Sequence, residues 1–325
     1  MNTKSPLITV IMSVYNTDTS YLSESINSIL GQTFTNFEFL IVDDCCQGRT
    51  KIQLEQYEKA DSRICLIHNS ENLGLTKSLN IMLKRAKGEY IARMDADDIS
   101  KPERLQKQLD YMKSHPQYAV IGCKFRITGR RGVSPTDWND DMSLRKIHLL
   151  FYNDGICHPC AFFQTSFLRS HQLEYDPVIK KSQDYAMWLA IADAGGKIGL
   201  CPEVLFTYRV HSNQISKAGY ANQMQYEQMT IRKQLDRLDP NLTESDRQIF
   251  YSLYRGEISE GEQKLYLLLK QLIEINKQKK IYASDLFIAE IKKIWKTASL
   301  KQIKKEHRFN MLLMISVINR ISENG

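Results

Sequence analysis

No stretch of the sequence approaches the roughly 18 apolar residues that a membrane-spanning helix requires. The first residues, MNTKSPLITVIMSVYN, contain one lysine and a short apolar run that passes directly into polar sequence. A secretory signal would need a longer apolar region and small residues at a cleavage site. The sequence therefore predicts a cytoplasmic protein without a spanning helix.

Cysteine is too sparse for a disulfide framework. Seven cysteines in 325 residues are an odd number, and without a secretory signal they indicate reduced thiols. The segment 157–160 reads Cys-His-Pro-Cys, but no second Cys or His pair stands at zinc-ligand spacing. We therefore expect neither a zinc site nor a redox site at this segment.

Acidic residues are scarce near the C-terminus. Between Lys264 and Arg308 there are twelve Lys or Arg residues against four Asp or Glu residues, whereas the whole chain has a net charge of +7. Apolar residues recur there at helical spacing, namely Phe287, Ile291, Ile294, Trp295 and Ala298, and again Met311, Leu312, Ile315 and Ile318. These helices either pack on the rest of the chain with a solvated basic face or contact an anionic membrane surface. No motif supports nucleic-acid binding.

Apolar runs of strand length alternate with segments of helical periodicity in the first hundred residues. Strands are predicted at 7–13, 37–42, 64–68 and 90–94. This alternation predicts an α/β fold with a mainly parallel sheet that is covered on both faces. Ligands of such sheets bind at the carboxyl ends of the strands. Two strands end in acidic groups, which should therefore lie at the ligand edge: Asp43-Asp44 and Asp95-Ala96-Asp97-Asp98.

Three carboxylates lie within four residues at the end of the fourth strand. Asp95, Asp97 and Asp98 repel one another unless a cation or solvent compensates their charge. A divalent ion bound by carboxylates and substrate phosphate oxygens is typical of Mg²⁺, and oxygen ligands also suit Mn²⁺. Such an ion neutralises and orients a diphosphate leaving group. The alternative is a solvated loop in which Asp98 or Ser100 caps a helix that begins near Pro102.

Several motifs across residues 6–216 occur in a specific order. They are IMSVYN (11–16), SINSILGQT (25–33), EFLIVDD (38–44), NSENLGLTKSL (69–79), AKGEYIARMDADD (86–98), QDYAMWL (183–189) and YRVH (208–211). In this order and spacing the chain resembles the family 2 glycosyltransferases, which have the GT-A fold. The resemblance implies an inverting transfer of a sugar from a nucleotide diphosphate donor, expected to be a UDP-sugar, to a saccharide acceptor.

The same resemblance implies how the chain is divided. It places a GT-A catalytic domain at 1–219, with a nucleotide-sugar half at about 1–100 and an acceptor half at about 101–219. The sequence becomes helical and basic from about residue 220. We therefore predict a separate helical region at 220–325.

The resemblance also assigns donor-binding residues. Ser13, Tyr15 and Asn16 are expected to line the nucleotide pocket at the end of the first strand. Asp43 is expected to hold the uracil or the ribose. Asp95 is expected to be the ribose-side member of the acidic motif.

The metal ligands and the neighbouring cations are assigned in the same way. Asp97 is the expected ligand of Mn²⁺ or Mg²⁺. His211 either meets the metal or the diphosphate or is an ordinary loop residue, and Arg209 could contact a phosphate instead. Arg93 either faces the donor or pairs with a core carboxylate.

Asp184 is the candidate general base, because one carboxylate must take the proton of the attacking hydroxyl. The family has an acidic pair here, whereas this chain has Gln183 before Asp184, which puts any tuning by the first acid in doubt. Asp184 could also cap the helix that follows it. The resemblance places His158 on the acceptor side.

The resemblance further suggests a biological setting and leaves two rival functions. The acceptor is expected to be carried on a polyprenyl diphosphate lipid, as in the synthesis of bacterial O-antigen or capsule, which would bring the protein to the inner face of the membrane. A nucleotidyltransferase would instead want a glycine-rich basic loop after its first strand, where this chain has Val14-Tyr15-Asn16. A non-catalytic scaffold would have lost the acidic motif or Asp184, and this chain retains both.

Overall fold

The computed structural model of the chain describes residues 5–135, 138–153, 155–211, 220–257 and 261–306. The predicted apolar positions Met311, Leu312, Ile315 and Ile318, together with Arg308, lie outside the described residues. The described strands are β1 (Ile8–Val14), β2 (Phe37–Asp43), β3 (Ile64–His68), β4 (Tyr90–Asp95), β5 (Ile99–Ser100), β6 (Tyr118–Ile127), β7 (Phe162–Gln164) and β8 (Lys197–Tyr208).

The helices follow the strands in the alternation that the sequence predicts. They are α1 (Thr19–Leu30), α2 (Gly48–Ala60), α3 (Leu75–Arg85), α4 (Arg104–Ser114), α5 (Met142–Phe151), α6 (Thr165–Ser170), α7 (Gln183–Asp193), α8 (Tyr220–Leu238), α9 (Glu244–Tyr254), α10 (Glu262–Lys279) and α11 (Ser284–Glu306). A 3₁₀ turn covers His158–Cys160.

The strands form one sheet of order β3-β2-β1-β4-β7-β6-β8-β5. β3, β2, β1 and β4 are parallel, whereas β7 is antiparallel to both of its neighbours. β6 and β8 are again parallel. The predicted mixed, mainly parallel α/β sheet is therefore confirmed.

The core of the sheet explains why its central strands are continuously apolar. All seven residues of β1 except Ser13 are buried, and β2 is buried at every position except Glu38. Helix α1 covers this region with Leu22, Ile26 and Ile29, which recur at helical spacing and are fully buried. Strands that are covered on both faces cannot alternate polar and apolar residues.

The chain divides into two compact units. The first contains Met1–Asp140 and Gly155–Tyr226, and the second contains Asp141–Asp154 and Glu227–Gly325. The predicted domains 1–219 and 220–325 stay a prediction. The segment 141–154 nevertheless groups with the C-terminal helices, although its place in the chain predicts membership of the first domain.

The second unit is a cluster of helices with an aromatic core. Phe151 of α5 packs against Phe250 and Phe287, with ring centroids 5.3 and 6.1 Å apart. These long-range contacts explain why α5 belongs with α9 and α11. Within the described residues, no helix has the length and hydropathy needed to cross a membrane.

Candidate active site

The parallel strands bring the polar residues predicted for the donor to one edge of the sheet. In the strand register, Ser13 lies beside Asp95, and Val14 lies beside Asp43. Asp43 in turn lies beside His68, the last residue of β3. Side chains that are far apart in sequence therefore meet at the carboxyl ends of four neighbouring strands, as expected for a ligand edge.

Asp43 is buried and accepts hydrogen bonds from within the protein. The Cys46 N–H donates to Oδ1 at 2.7 Å, and His68 Nδ1 lies 2.9 Å from Oδ2. A carboxylate has about four acceptor positions, so Asp43 keeps capacity for a further donor. The His68 side chain is half exposed and extends this polar surface beyond the strand end.

Asp44 organises the loop that follows β3. Its Oδ1 accepts from Asn69 Nδ2 at 2.7 Å and from the Leu73 N–H at 2.8 Å, and its Oδ2 accepts from the Gly74 N–H at 2.8 Å. Asp44 is buried, so these bonds compensate the loss of water around its charge. Asp44 therefore fixes the backbone just before α3 begins at Leu75.

The turn after β1 presents an exposed aromatic ring. Tyr15 is 53% exposed, and Asn16 adopts a positive φ of 47°, which asparagine tolerates better than most residues. Asn16 Oδ1 accepts from the Gln47 N–H at 2.9 Å. This bond joins the turn after β1 to the start of α2 and holds Tyr15 at the strand edge.

Arg93 and Asp95 form a bidentate ion pair on one face of β4. Nη1 of Arg93 donates to Oδ2 of Asp95 at 2.8 Å, and Nη2 donates to Oδ1. The Arg93 side chain is buried. Burial lowers the pKa of its guanidinium, but Asp95, Tyr175 and Asp98 outweigh burial and raise it. Of the two interpretations left open by the sequence, the structure shows the carboxylate pair.

The acidic motif forms a compact oxygen cluster. One carboxylate oxygen from each of Asp95, Asp97 and Asp98 lies within 4.8 Å of the others. Asp98 is fully buried, and among the described residues its Oδ2 has no hydrogen-bond partner. Burial, and then the charges of Asp95 and Asp97, raise the pKa of Asp98 well above its usual value. Converging hard oxygen donors with an unpartnered buried oxygen fit a divalent cation such as Mn²⁺ or Mg²⁺.

His211 completes one side of this cluster. Its Nε2 lies 2.8 Å from Asp97 Oδ2. Its ring packs on Tyr21 of α1 with centroids 5.1 Å apart. The structure therefore places His211 beside the acidic motif.

Arg209 hydrogen-bonds to the same cluster through both its backbone and its side chain. Its N–H donates to Asp98 Oδ1 at 2.8 Å, and its Nε donates to the Asp97 carbonyl at 2.7 Å. Its guanidinium lies over the Tyr21 ring at 4.4 Å and pairs with Glu24. The alternative in which Asp98 or Ser100 caps the next helix is wrong, because α4 begins at Arg104 with Glu103 as its N-cap, and Asp98 accepts from the backbone of the segment after β8.

Asp184 lies in the first turn of α7 and is half-buried. The N-cap position of α7 is held by Ser182, so Asp184 does not occupy the capping position that the sequence left open as an alternative. Burial raises the pKa of Asp95, Arg93 opposes this, and the charges of Asp97 and Asp184 add to it. Asp184 is thus within electrostatic reach of the acidic motif.

His158 is buried beside Tyr175. The His158 Nε2 lies 2.7 Å from the Tyr175 hydroxyl oxygen. Burial and then the Arg93 charge lower the pKa of His158 well below its usual value, so the imidazole is neutral. Burial raises the pKa of Tyr175, Arg93 opposes this, and Asp184 and Asp95 contribute to the increase. His158 and Tyr175 therefore contact each other and lie within electrostatic reach of Arg93, and Tyr175 also lies within electrostatic reach of Asp95 and Asp184.

The structure brings together residues that the sequence singles out and residues that it does not. Tyr175 and His68 belong to no motif, and only the tertiary structure shows that they lie at the site. Asp44 lies in the predicted acidic pair, yet its loop contacts become visible only in the fold. No spacing or motif in the sequence indicates Tyr175, because its partner His158 lies 17 residues earlier in a different segment.

Comparison with known proteins identifies relatives over about two thirds of the chain. The family model described as glycosyl transferase family 2 matches residues 9–170. An uncharacterized glycosyltransferase of Haemophilus influenzae is 34% identical over 221 residues, which cover 65% of this chain and 68% of the relative. A putative teichuronic acid biosynthesis glycosyltransferase of Bacillus subtilis, TuaG, is 32% identical, and the match covers 65% of this chain and 82% of TuaG. The O-antigen biosynthesis glycosyltransferase WbnJ of Escherichia coli is 31% identical, and the match covers 66% of this chain and 84% of WbnJ.

Solved structures share the fold at low sequence identity. TarS residues 1–349 of S. aureus, in complex with UDP-GlcNAc, superposes with a TM-score of 0.62 at 19% identity, over 93% of each chain. The longer TarS structure is covered over only 53% of its length. A mannosyltransferase of Pyrobaculum calidifontis in complex with GDP-Man and Mn²⁺ gives a TM-score of 0.59 at 16% identity, covering 98% of this chain and 86% of that one.

Proposed function

Since this chain belongs to glycosyl transferase family 2 and is a glycosyltransferase, we propose that it moves a sugar from a UDP-sugar to a saccharide hydroxyl with inversion. One observation carries this proposal. The residues expected to bind the nucleotide and the metal lie at the carboxyl ends of parallel strands of one sheet, and the expected general base is within electrostatic reach of the acidic motif. Asp43, the acidic motif and Asp184 supply the three groups.

Donor binding is assigned to the ends of the first two strands. Tyr15 offers an exposed ring on which a base can stack, and Asp43 offers free acceptor positions for a base or ribose donor group. Ser13 and Asn16 lie beside them on the same edge. TarS is in complex with UDP-GlcNAc and the mannosyltransferase is in complex with GDP-Man and Mn²⁺, which supports a nucleotide-sugar donor for this chain.

A divalent ion is assigned to the acidic motif. Asp97 and His211 would hold it. Asp95 would lie on the ribose side, and the buried carboxylate of Asp98 lies next to both acids. When bound, Mn²⁺ or Mg²⁺ would neutralise the charge that develops on the departing diphosphate. Arg93 keeps Asp95 in place, and Arg209 fixes the backbone of Asp97.

Asp184 is assigned as the general base. Its position in the first turn of α7, within reach of the acidic motif, lets the carboxylate accept the proton of the acceptor hydroxyl as the hydroxyl attacks the anomeric carbon. Direct attack from the face opposite the leaving diphosphate inverts that carbon. The neutral imidazole of His158 shapes the acceptor side of the pocket without adding a positive charge.

The acceptor is proposed to be a saccharide on a polyprenyl diphosphate lipid in the synthesis of a bacterial surface polysaccharide. The names of TuaG and WbnJ, which are teichuronic acid and O-antigen glycosyltransferases, support this setting. A cytoplasmic enzyme with such an acceptor must work at the inner face of the membrane.

A basic face of α10 supports contact with an anionic membrane surface. Leu267 is 56% exposed, and Lys264 and Lys270 lie three residues before and after it, so the three side chains share one face. An exposed apolar residue between lysines suits the boundary of an anionic bilayer. Changing Lys264 and Lys270 to Gln should reduce sedimentation with phosphatidylglycerol vesicles. Changing Lys51 and Lys59 of α2, which are also exposed, should not.

The donor assignment is tested by incubating the purified protein with UDP-, GDP- and dTDP-sugars, with and without Mn²⁺, and measuring the nucleotide released. We expect metal-dependent release of UDP from one sugar donor. Release from a GDP-sugar alone would overturn the UDP assignment. If no donor were hydrolysed and calorimetry detected no nucleotide binding with Mn²⁺ present, the catalytic proposal itself would fail and a scaffold would be the better description.

A further inference from the structure

A buried asparagine of α3 holds the loop that precedes α7. The Asn80 Nδ2 donates to the Tyr175 carbonyl at 2.7 Å, and the Tyr175 N–H donates to Asn80 Oδ1 at 2.8 Å. Thr76, one turn earlier on α3, donates to the Ile179 carbonyl at 2.9 Å. Asn80, Thr76 and Ile179 are buried, so these bonds replace water contacts that the groups lose on folding.

The side chain of Tyr175 extends this connection to the 3₁₀ turn. Tyr175 is fully buried, and its hydroxyl is the partner of His158 Nε2. The two rings also meet edge to face, with centroids 5.4 Å apart at 62°. A hydroxyl and an imidazole that pair without water restrict each other to one arrangement.

The imidazole of His158 in turn contacts the helix that carries Asp184. Its edge meets Trp188 with centroids 6.0 Å apart at 82°, and Phe163 stacks on the same indole at 6.0 Å. Gly155 lies so close that an added Cβ would be 2.0 Å from Trp188 Cδ1. Trp188 is four residues after Asp184 and therefore lies on the same face of α7, one turn along.

We propose that Asn80 and Tyr175 are positioning residues that fix α7 through His158 and Trp188 and thereby hold Asp184 at the reacting hydroxyl. The inference rests on the proposed role of Asp184 as the general base. Neither residue needs to touch substrate. A base displaced by about 1 Å can lose about 10²-fold in rate, so a second layer of packed side chains has a measurable effect.

The chain contains a matched control for Asn80. In the second unit, Asn276 makes the same pair of bonds to another tyrosine, since its Nδ2 donates to the Tyr282 carbonyl at 3.1 Å and its Oδ1 accepts from the Tyr282 N–H at 2.9 Å. Asn276 is also buried. Asn276→Ala therefore removes the same chemistry from a helix that does not carry Asp184.

The experiment compares Tyr175→Phe, Asn80→Ala and Asn276→Ala in the full-length protein. Hydrogen–deuterium exchange should be about 10-fold faster in peptides covering the first turn of α7 for the first two variants, and unchanged there for Asn276→Ala. The kcat of UDP release should fall about 10-fold or more, while the dissociation constant of UDP stays within about two-fold of wild type.

Unchanged exchange in α7 for both Tyr175→Phe and Asn80→Ala would overturn the inference, as would an equal loss of kcat in Asn276→Ala. Tyr175→Phe keeps the ring and the backbone bonds, so it reports on the hydroxyl alone even if Asn80→Ala unfolds. Exchange does not depend on turnover. A wild-type protein without nucleotide binding would therefore refute the proposed function, whereas unperturbed α7 exchange refutes only this inference.

Discussion

The imidazole of His211 lies 2.8 Å from the carboxylate of Asp97, although 114 residues separate them in sequence. β8 delivers His211 to this position, and the segment after the strand is anchored by Arg209. The contact joins the acidic motif after β4 to the segment that follows β8 in the first compact unit. It supports the proposed metal site, to which Asp97 and His211 contribute from two separate motifs.

Replacing His211 by Ala should weaken Mn²⁺ binding. Loss of a neutral imidazole ligand or of its close support lowers metal affinity by about 10- to 100-fold. Titration of free Mn²⁺ by electron paramagnetic resonance, with UDP present, measures this directly. His171→Ala is the control, because His171 is exposed and its ring bonds to Ser170 and Phe167 of α6, away from the acidic motif. Equal Mn²⁺ affinity in wild type and His211→Ala would remove His211 from the ligand set.

Replacing Asp184 by Asn should lower kcat without preventing donor binding. The amide has nearly the same shape but cannot accept the proton, and loss of a general base costs about 10²- to 10⁴-fold in rate. Asp193→Asn changes an exposed carboxylate at the other end of the same helix and should leave kcat unchanged. If Asp184→Asn retained the wild-type kcat, another group would have to be the base.

His158 should make the folded protein sensitive to acid. Its pKa is lowered by burial and by Arg93, so below about pH 6.5 the unfolded chain binds a proton that the folded protein does not. Stability is therefore complete above that pH and decreases as the pH falls. Between about pH 7.5 and 5.5, this single group lowers the free energy of unfolding by up to about 1.4 kcal/mol.

Urea unfolding of wild type and His158→Gln at several pH values checks this dependence. Glutamine cannot be protonated in this range, so the variant should be less stable at neutral pH but flatter in its response to acid. Identical pH slopes for the two proteins would show that His158 is not held neutral by the fold.

Gly155→Ala should destabilise the first compact unit, to which Gly155 belongs. The added methyl would overlap the indole of Trp188, at 2.0 Å from Cδ1, and overpacking of a tight core typically costs about 1 to 3 kcal/mol. Gly31→Ala is a milder control, because Gly31 has an ordinary φ of −83° and its Cβ would meet the Asn27 carbonyl at 3.1 Å. Thermal unfolding distinguishes the two. Equal melting temperatures for Gly155→Ala and wild type would show that α7 is not tightly packed here.

Local patterns predict the sheet and its functional edge well. Continuous apolar runs identify β1 and β2, and the acidic residues at the strand ends identify the ligand edge because parallel strands share one carboxyl end. The strand predicted at 90–94 matches β4. The helix predicted from Pro102 begins at Arg104.

The contacts that were not predicted are those between distant segments. Asn80 and Tyr175 are 95 residues apart, and Arg209 reaches Asp98 across 111 residues. Neither pair has a spacing that indicates contact, since periodicity reports only on neighbours within one element. The same limit explains α5, whose partners Phe250 and Phe287 follow it by about a hundred residues or more.

The most direct test of metal-dependent sugar transfer is the rate of UDP release from the preferred donor, measured for wild type and Asp97→Ala at saturating Mn²⁺ and for wild type with a chelator. We predict release by wild type with Mn²⁺ and a loss of about 100-fold or more in the other two samples. Equal rates in all three samples would contradict the assignment of the acidic motif as the metal site and the metal-dependent mechanism built on it.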